Sequence, residues 1–162
     1  MAEPSAQDDR AEIRRVQPDG AVLFCGTHLR IRVVVLQPGV VLASADGEVA
    51  DAADVSAEAA AFAEFDRELE RAGTFTLFAD LRESRRMPAA SREKIAQWLR
   101  RQRERILPSH VLVRSKMTEM ALSIVAMLVG GGLFEIHTSP EPFLRLVQKV
   151  APMLSELPRL PK

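Results

Sequence analysis

The sequence predicts an α/β fold: a mixed, mainly parallel sheet with an antiparallel N-terminal hairpin and about four helices. Three observations carry this. The first third holds three runs rich in Val, Ile and Leu, separated by Gly and Pro. From Ser56 onward, stretches of helical periodicity alternate with short apolar runs, an order that implies parallel strands joined by right-handed helical crossovers. At 162 residues the chain fits one domain, able to bury a core without disulfides or metal.

Taken in order, residues 1–18 read as a flexible polar arm, residues 19–154 as the domain and residues 155–162 as a tail. Pro18-Asp19-Gly20 signals a turn. Ala21 to Cys25, Leu29 to Leu36 and Val40 to Ala45 are predicted strands, with a hairpin turn at Gln37-Pro38-Gly39. Ser56 to Ala72 is predicted to be a helix, with Phe62, Phe65, Leu69 and Ala72 along one side, and Gly73 ends it. Thr74 to Ala79 follows as a strand covered on both faces, and a polar loop is expected to begin at Asp80. Pro88 suits the first turn of a basic helix over 89–106, closed by Pro108, with Ile95, Trp98, Leu99 and Ile106 inward. His110 to Val113 is a strand. Ser115 to Gly130 is an unusually apolar helix, capped by Ser115 or Thr118. Leu133 to Ile136 gives the last strand, and Ser139-Pro140-Glu141 opens a final helix through Val150. No internal repeat is visible.

Composition excludes several functional classes. Lys+Arg and Asp+Glu both number 22, so no global attraction for nucleic acid or an anionic membrane exists. The single Cys25 rules out an intrachain disulfide and, with no secretory pattern in the first residues, points to a reducing, cytoplasmic setting. The apolar stretch near Met120 to Leu133 is too short to cross a bilayer. Arginine exceeds lysine and alanine is abundant, as in high-GC bacterial sequences.

Four pieces of the chain, LRIRVVVLQPGVVLASADGEV, AAAFAEFDRELERAG, TFTLFADLRES and LFEIHTSPEPFLRLVQKV, taken in this order, resemble the STAS superfamily, and more closely its SpoIIAA-like (STAS/Sec14-like) branch. The resemblance covers about Ala21 to Leu154. It implies a protein-binding or ligand-sensing module, in some members switched by phosphorylation. In the anti-sigma-factor antagonists of that superfamily, the strand ending in Asp leads to an Asp-Ser pair whose serine is phosphorylated. Asp80 matches the strand end. Met87-Pro88-Ala89-Ala90-Ser91 departs from the rest of the pattern, because Ala89 falls where that serine belongs. Ser91, two residues on, is either a helix-start serine or a phosphosite.

Candidate sites follow from topology and charge. Loops at the carboxyl ends of parallel strands are where open α/β sheets bind ligands, and they hold Asp80, Arg82 and Ser84; Arg114, Ser115 and Lys116; and His137, Thr138 and Ser139. Two helix starts there would suit an anion, or the same residues simply cap helices and loops. Basic residues crowd Arg82 to Arg105, including Arg100, Arg101 and Arg103, while acids crowd Asp46 to Arg71. These charges either neutralise each other on a solvated face or form a surface for an acidic partner. Nucleic acid is disfavoured, since no aromatic residues interleave with the arginines. The helix MTEMALSIVAMLVGGG is either core, a contact with another subunit, or the cover of a lipid or other hydrophobic small molecule near 117–130. His28, His110 and His137 lack metal-ligand spacing and Cys25 lacks an adjacent base, so no catalytic residue, metal or cofactor is expected. The leading expectation is a non-enzymatic module that binds a partner protein, or its own copy, through the basic helix and the loop after Asp80. The alternative is a hydrophobic small-molecule binder.

Overall fold

The computed structural model describes residues 14–160. Seven strands form a single sheet: β1 (Arg14–Val16), β2 (Val22–Cys25), β3 (Leu29–Gln37), β4 (Val40–Glu48), β5 (Thr76–Arg86), β6 (Ser109–Leu112) and β7 (Phe134–His137). They lie side by side in chain order. The pairs β1–β2, β2–β3 and β3–β4 are antiparallel, and β4–β5, β5–β6 and β6–β7 are parallel. The β3–β4 hairpin turns at Pro38-Gly39, where Gly39 has a φ of +76° that a side chain would strain. The expected α/β class, mixed sheet and four helices are all present.

The helices are α1 (Ala52–Ala72), α2 (Ala89–Arg101), α3 (Lys116–Val129) and α4 (Pro140–Val150). Because β4 to β7 follow one another in one direction, right-handed crossovers place α1, α2 and α3 on the same face of the sheet. Among the described residues no strand follows β7, and α4 folds back across the opposite face. Alternation along β4 records this division. Val41 and Ala43 pack with Phe65 and Leu69 of α1, Trp98 and Leu99 of α2, and Val125 of α3. Leu42, between them, packs with Phe78, Leu112 and the α4 residues Phe143 and Val147. Among the described residues, no helix is long and apolar enough to cross a membrane.

Five boundaries differ from expectation. The arm expected over 1–18 includes β1, whose Arg14, Arg15 and Val16 pair with Phe24, Leu23 and Val22; its residues 1–13 lie outside the described ones. The first helix begins at Ala52 instead of Ser56, because Asp51 and Asp54 form a reciprocal capping box. The polar loop expected at Asp80 is strand: β5 runs on to Arg86, since β4 itself continues to Glu48 and supplies hydrogen-bonding backbone beside it, with two register irregularities. The basic helix ends at Arg101, and 102–105 form turns before Ile106 bridges to Phe75. The tail expected from 155 is partly core, because Leu157 is buried against the α4 side.

Candidate functional site

Most residues singled out by charge are engaged within the molecule. Asp80 is buried on β5 and takes both Nε and Nη2 of Arg82, at 2.9 and 2.8 Å. That bidentate bond raises the pKa of Arg82, against the opposing effect of its burial. The Ser84 carbonyl accepts from the Thr118 hydroxyl at 3.5 Å, tying α3 to the end of β5. On and after α2, Arg100 donates to the Ala96 carbonyl of its own helix, and Arg101 lies 3.8 Å from Asp66 of α1. Arg103 bonds the Val129 carbonyl at the end of α3, and Arg105 the Leu69 and Gly73 carbonyls at the end of α1. Trp98 also donates to Asp66, at 2.8 Å. Between the basic and the acidic stretches, the acid–base contacts are Arg101 with Asp66 and Arg105 with Glu70, each at 3.8 Å.

The strand-end loops are simpler. Ser115 and Ser139 occupy the N-cap positions of α3 and α4, but neither side chain makes a capping hydrogen bond, contrary to the expected role for Ser115. Lys116 pairs with Glu119 at 2.9 Å, and Thr138 and Ser139 are exposed. Ser91 is not at the surface. It is 3% exposed and its hydroxyl donates to Glu58 Oε1 at 3.3 Å, so a phosphate there would be buried against a carboxyl group.

What the linear sequence could not display is a cavity of about 160 Å³ between the sheet and helices α1 and α2. Leu29, Ile31, Ala43, Leu77, Ala79, Leu81 and Val111 line it from the strands; Ala61, Phe62 and Phe65 from α1; Ile95, Trp98 and Leu99 from α2. It takes only Leu122 from α3, so the space expected under the apolar helix 117–130 lies instead under its two predecessors. Aromatic side chains of α1 and α2 line one part of it. Phe62 and Phe65 meet at 5.4 Å and 78°, Phe62 and Trp98 at 5.5 Å and 63°, both edge-to-face.

One end is polar. It lies at the carboxyl ends of β4 and β5, where Arg86 is exposed and Glu48, Val49, Met87 and Pro88 are half-buried. Just inside are Glu58 from α1 and Ser91 from the first turn of α2. Burial raises the Glu58 pKa, and the Ser91 hydrogen bond and the Lys94 charge only partly oppose it. The cavity therefore has mostly carbon walls, with the Glu58 carboxyl at its polar end accepting the Ser91 hydroxyl.

Asp54, one turn earlier on α1, is also fully buried but behaves oppositely. Its carboxylate accepts from the backbone N–H groups of His28, Leu29, Ala50 and Asp51 at 2.7 to 3.1 Å. Burial would raise its pKa, yet the bonds from His28, Ala50 and Asp51 outweigh burial and hold it well below the usual carboxylate range. Gly26 is needed beside it, because a Cβ there would collide with the Asp54 carboxylate and backbone.

Comparison with known proteins leaves the site to be read from its own geometry: no family model matches the chain, and no curated protein matches it.

Proposed function

We propose that the chain is a non-enzymatic binding module that takes a small, mostly apolar molecule carrying one hydrogen-bonding group into the cavity between the sheet and α1 and α2. The observation that carries this reading is the cavity itself, apolar along its length and closed at its polar end by the Glu58–Ser91 pair. Size narrows the ligand. Pockets for drug-sized molecules run to about 300–1,000 Å³, whereas a dry apolar cavity of about 150 Å³ holds benzene. A single ring or short alkyl chain bearing a hydroxyl, amide or carboxyl group fits. The order of elements, a hairpin followed by strand–helix alternation, supports keeping the SpoIIAA-like resemblance as the family reading, and with it a sensing or regulatory role.

Ala79 gives the test. It is buried on β5 and lines the cavity, so Ala79→Leu adds three carbons where space exists. Ligand-observed NMR and thermal shift with phenol, indole and short-chain alcohols and acids should register binding by the wild type in the millimolar range or tighter. The variant should fold with equal or higher stability and bind none of them. Hits that persist in Ala79→Leu, or no hits with the wild type, reject the reading.

A second reading, a protein contact, is favoured by a different feature from the basic helix. Met117, Met120, Ile124, Met127 and Leu128 form an exposed stripe along α3, with Met127 81% exposed.

A further inference from the structure

Two histidines that look unrelated in sequence meet on the sheet. In the parallel β6–β7 pair, His110 lies opposite Glu135 and Leu112 opposite His137, so His110, Glu135 and His137 project from the same face two residues apart. That face is the one α4 covers, the reverse side of the sheet from the cavity. His110 Nδ1 lies 3.0 Å from His137 Nε2 and 3.7 Å from Glu135 Oε2.

Both rings are held in place. His110 stacks on Phe78 at 5.3 Å and 17°, and His137 packs edge-on to Phe143 at 5.8 Å and 69°. Glu135 is the exposed partner, its side chain 68% exposed on the last strand of the sheet. A tetrahedral ion with metal–ligand bonds of about 2.0–2.1 Å needs donor atoms about 3.3 Å apart. The two separations at His110 bracket that value, and all three donor atoms lie within 4.8 Å of one another.

We propose that His110, His137 and Glu135 form a binding site for a divalent transition metal ion of the zinc class. The donors choose the class: two imidazole nitrogens and one carboxylate suit zinc and its first-row neighbours, while magnesium and calcium require oxygen-dominated sets. Three protein ligands on the last two strands of the sheet leave a fourth position for water or a donor from another molecule. Across the sheet from the Glu58–Ser91 cavity, the site shares no residue with it. A second group, His28 with Asp51 and Asp54, has the right residue types. Its buried member is already saturated by four backbone donors, and it serves here as the control.

The experiment uses the whole chain stripped of metal with a chelator, then titrated with Co²⁺, read by visible absorption, and with Zn²⁺, read by competition against a chromophoric chelator. One equivalent of each ion should bind with micromolar affinity, and histidine side-chain NMR signals of residues 110 and 137 should shift with Zn²⁺. His137→Gln should weaken binding at least 100-fold. Glu135→Ala, on an exposed side chain that cannot compromise folding, should weaken it about tenfold. His28→Asn should leave it unchanged. Absence of binding at about 100 μM ion, binding unaltered in both Glu135→Ala and His137→Gln, or binding lost only in His28→Asn overturns the proposal.

Discussion

Asp54 and Glu58 are buried carboxyl groups one turn apart on α1, and what surrounds each moves its pKa in opposite directions. Asp54 is surrounded by amide donors, Glu58 by hydrocarbon, one serine and the more distant charge of Lys94. Their pH dependences should have opposite signs. A depressed pKa in the folded state means that Asp54 contributes its full stabilisation above the ordinary aspartate value, about 3.9. That contribution is lost as pH falls below it. A raised pKa means that Glu58 costs nothing below its ordinary value of about 4.3, and destabilises progressively as pH rises through the folded-state value. Urea denaturation of Asp54→Asn should show a loss of about 3 kcal/mol at pH 7 and a shallower decline below pH 4 than the wild type. Glu58→Gln should compare more favourably with the wild type at pH 7 than at pH 4. Parallel pH profiles for both variants and the wild type would refute the assignment. Neither behaviour was legible in the sequence, where Asp54 fell outside the predicted helix and Glu58 was one acid among nine between Asp46 and Arg71. Burial and hydrogen-bond partners set them apart, and both are properties of the fold.

At the scale of elements, the helices were readable because their apolar spacing is local, and the errors came where neighbours decide. Arg82 to Arg86 reads as loop because its residues are polar, yet the continuing β4 backbone makes it strand. The basic character of α2 reads as a docking surface; in the fold Arg101 lies near Asp66, while Arg103 and Arg105, just after the helix, bond the carbonyl ends of α3 and α1. The apolarity of α3 was legible, but its direction was not. Thr118, Ala121, Leu122, Val125 and Val129 face inward, while the methionine stripe faces out. Methionines on an outer helix face suit an adaptable contact, and the simplest occupant is the same face of a second copy. Light scattering after size exclusion should then give a dimer mass for the wild type at high micromolar concentration. The double variant Met120→Glu with Met127→Glu should run as a monomer with an unchanged circular dichroism spectrum, since both residues are more than 60% exposed. Equal masses for the two proteins would remove the self-association reading.

For the whole molecule, the strict chain order of the strands has one dominant consequence: it loads three helices on one face and leaves α4 alone on the other. Strand–helix alternation announced the parallel sheet. It could not announce the register that brings His110 to His137, because cross-strand neighbours in parallel strands are separated by a whole crossover. Nor could it show that one amphipathic helix is too narrow to cover its face. The polypeptide after α4 makes up the difference. Residues beyond Pro152 turn back, and Leu157 closes over Leu42, Phe78 and Phe143 with Leu154 at its side. A stretch that composition marks as tail is thus part of the core, and its contribution should match that of any buried leucine. Leu157→Ala should lower unfolding free energy by about 2–3 kcal/mol in urea titrations, toward the low end of core leucines because 8% of its surface remains exposed. Met153→Ala, four residues away and 96% exposed, should change it by less than about 0.5 kcal/mol. If both substitutions prove silent, the segment does not seal the sheet, and α4 alone must keep water from Leu42 and Phe78.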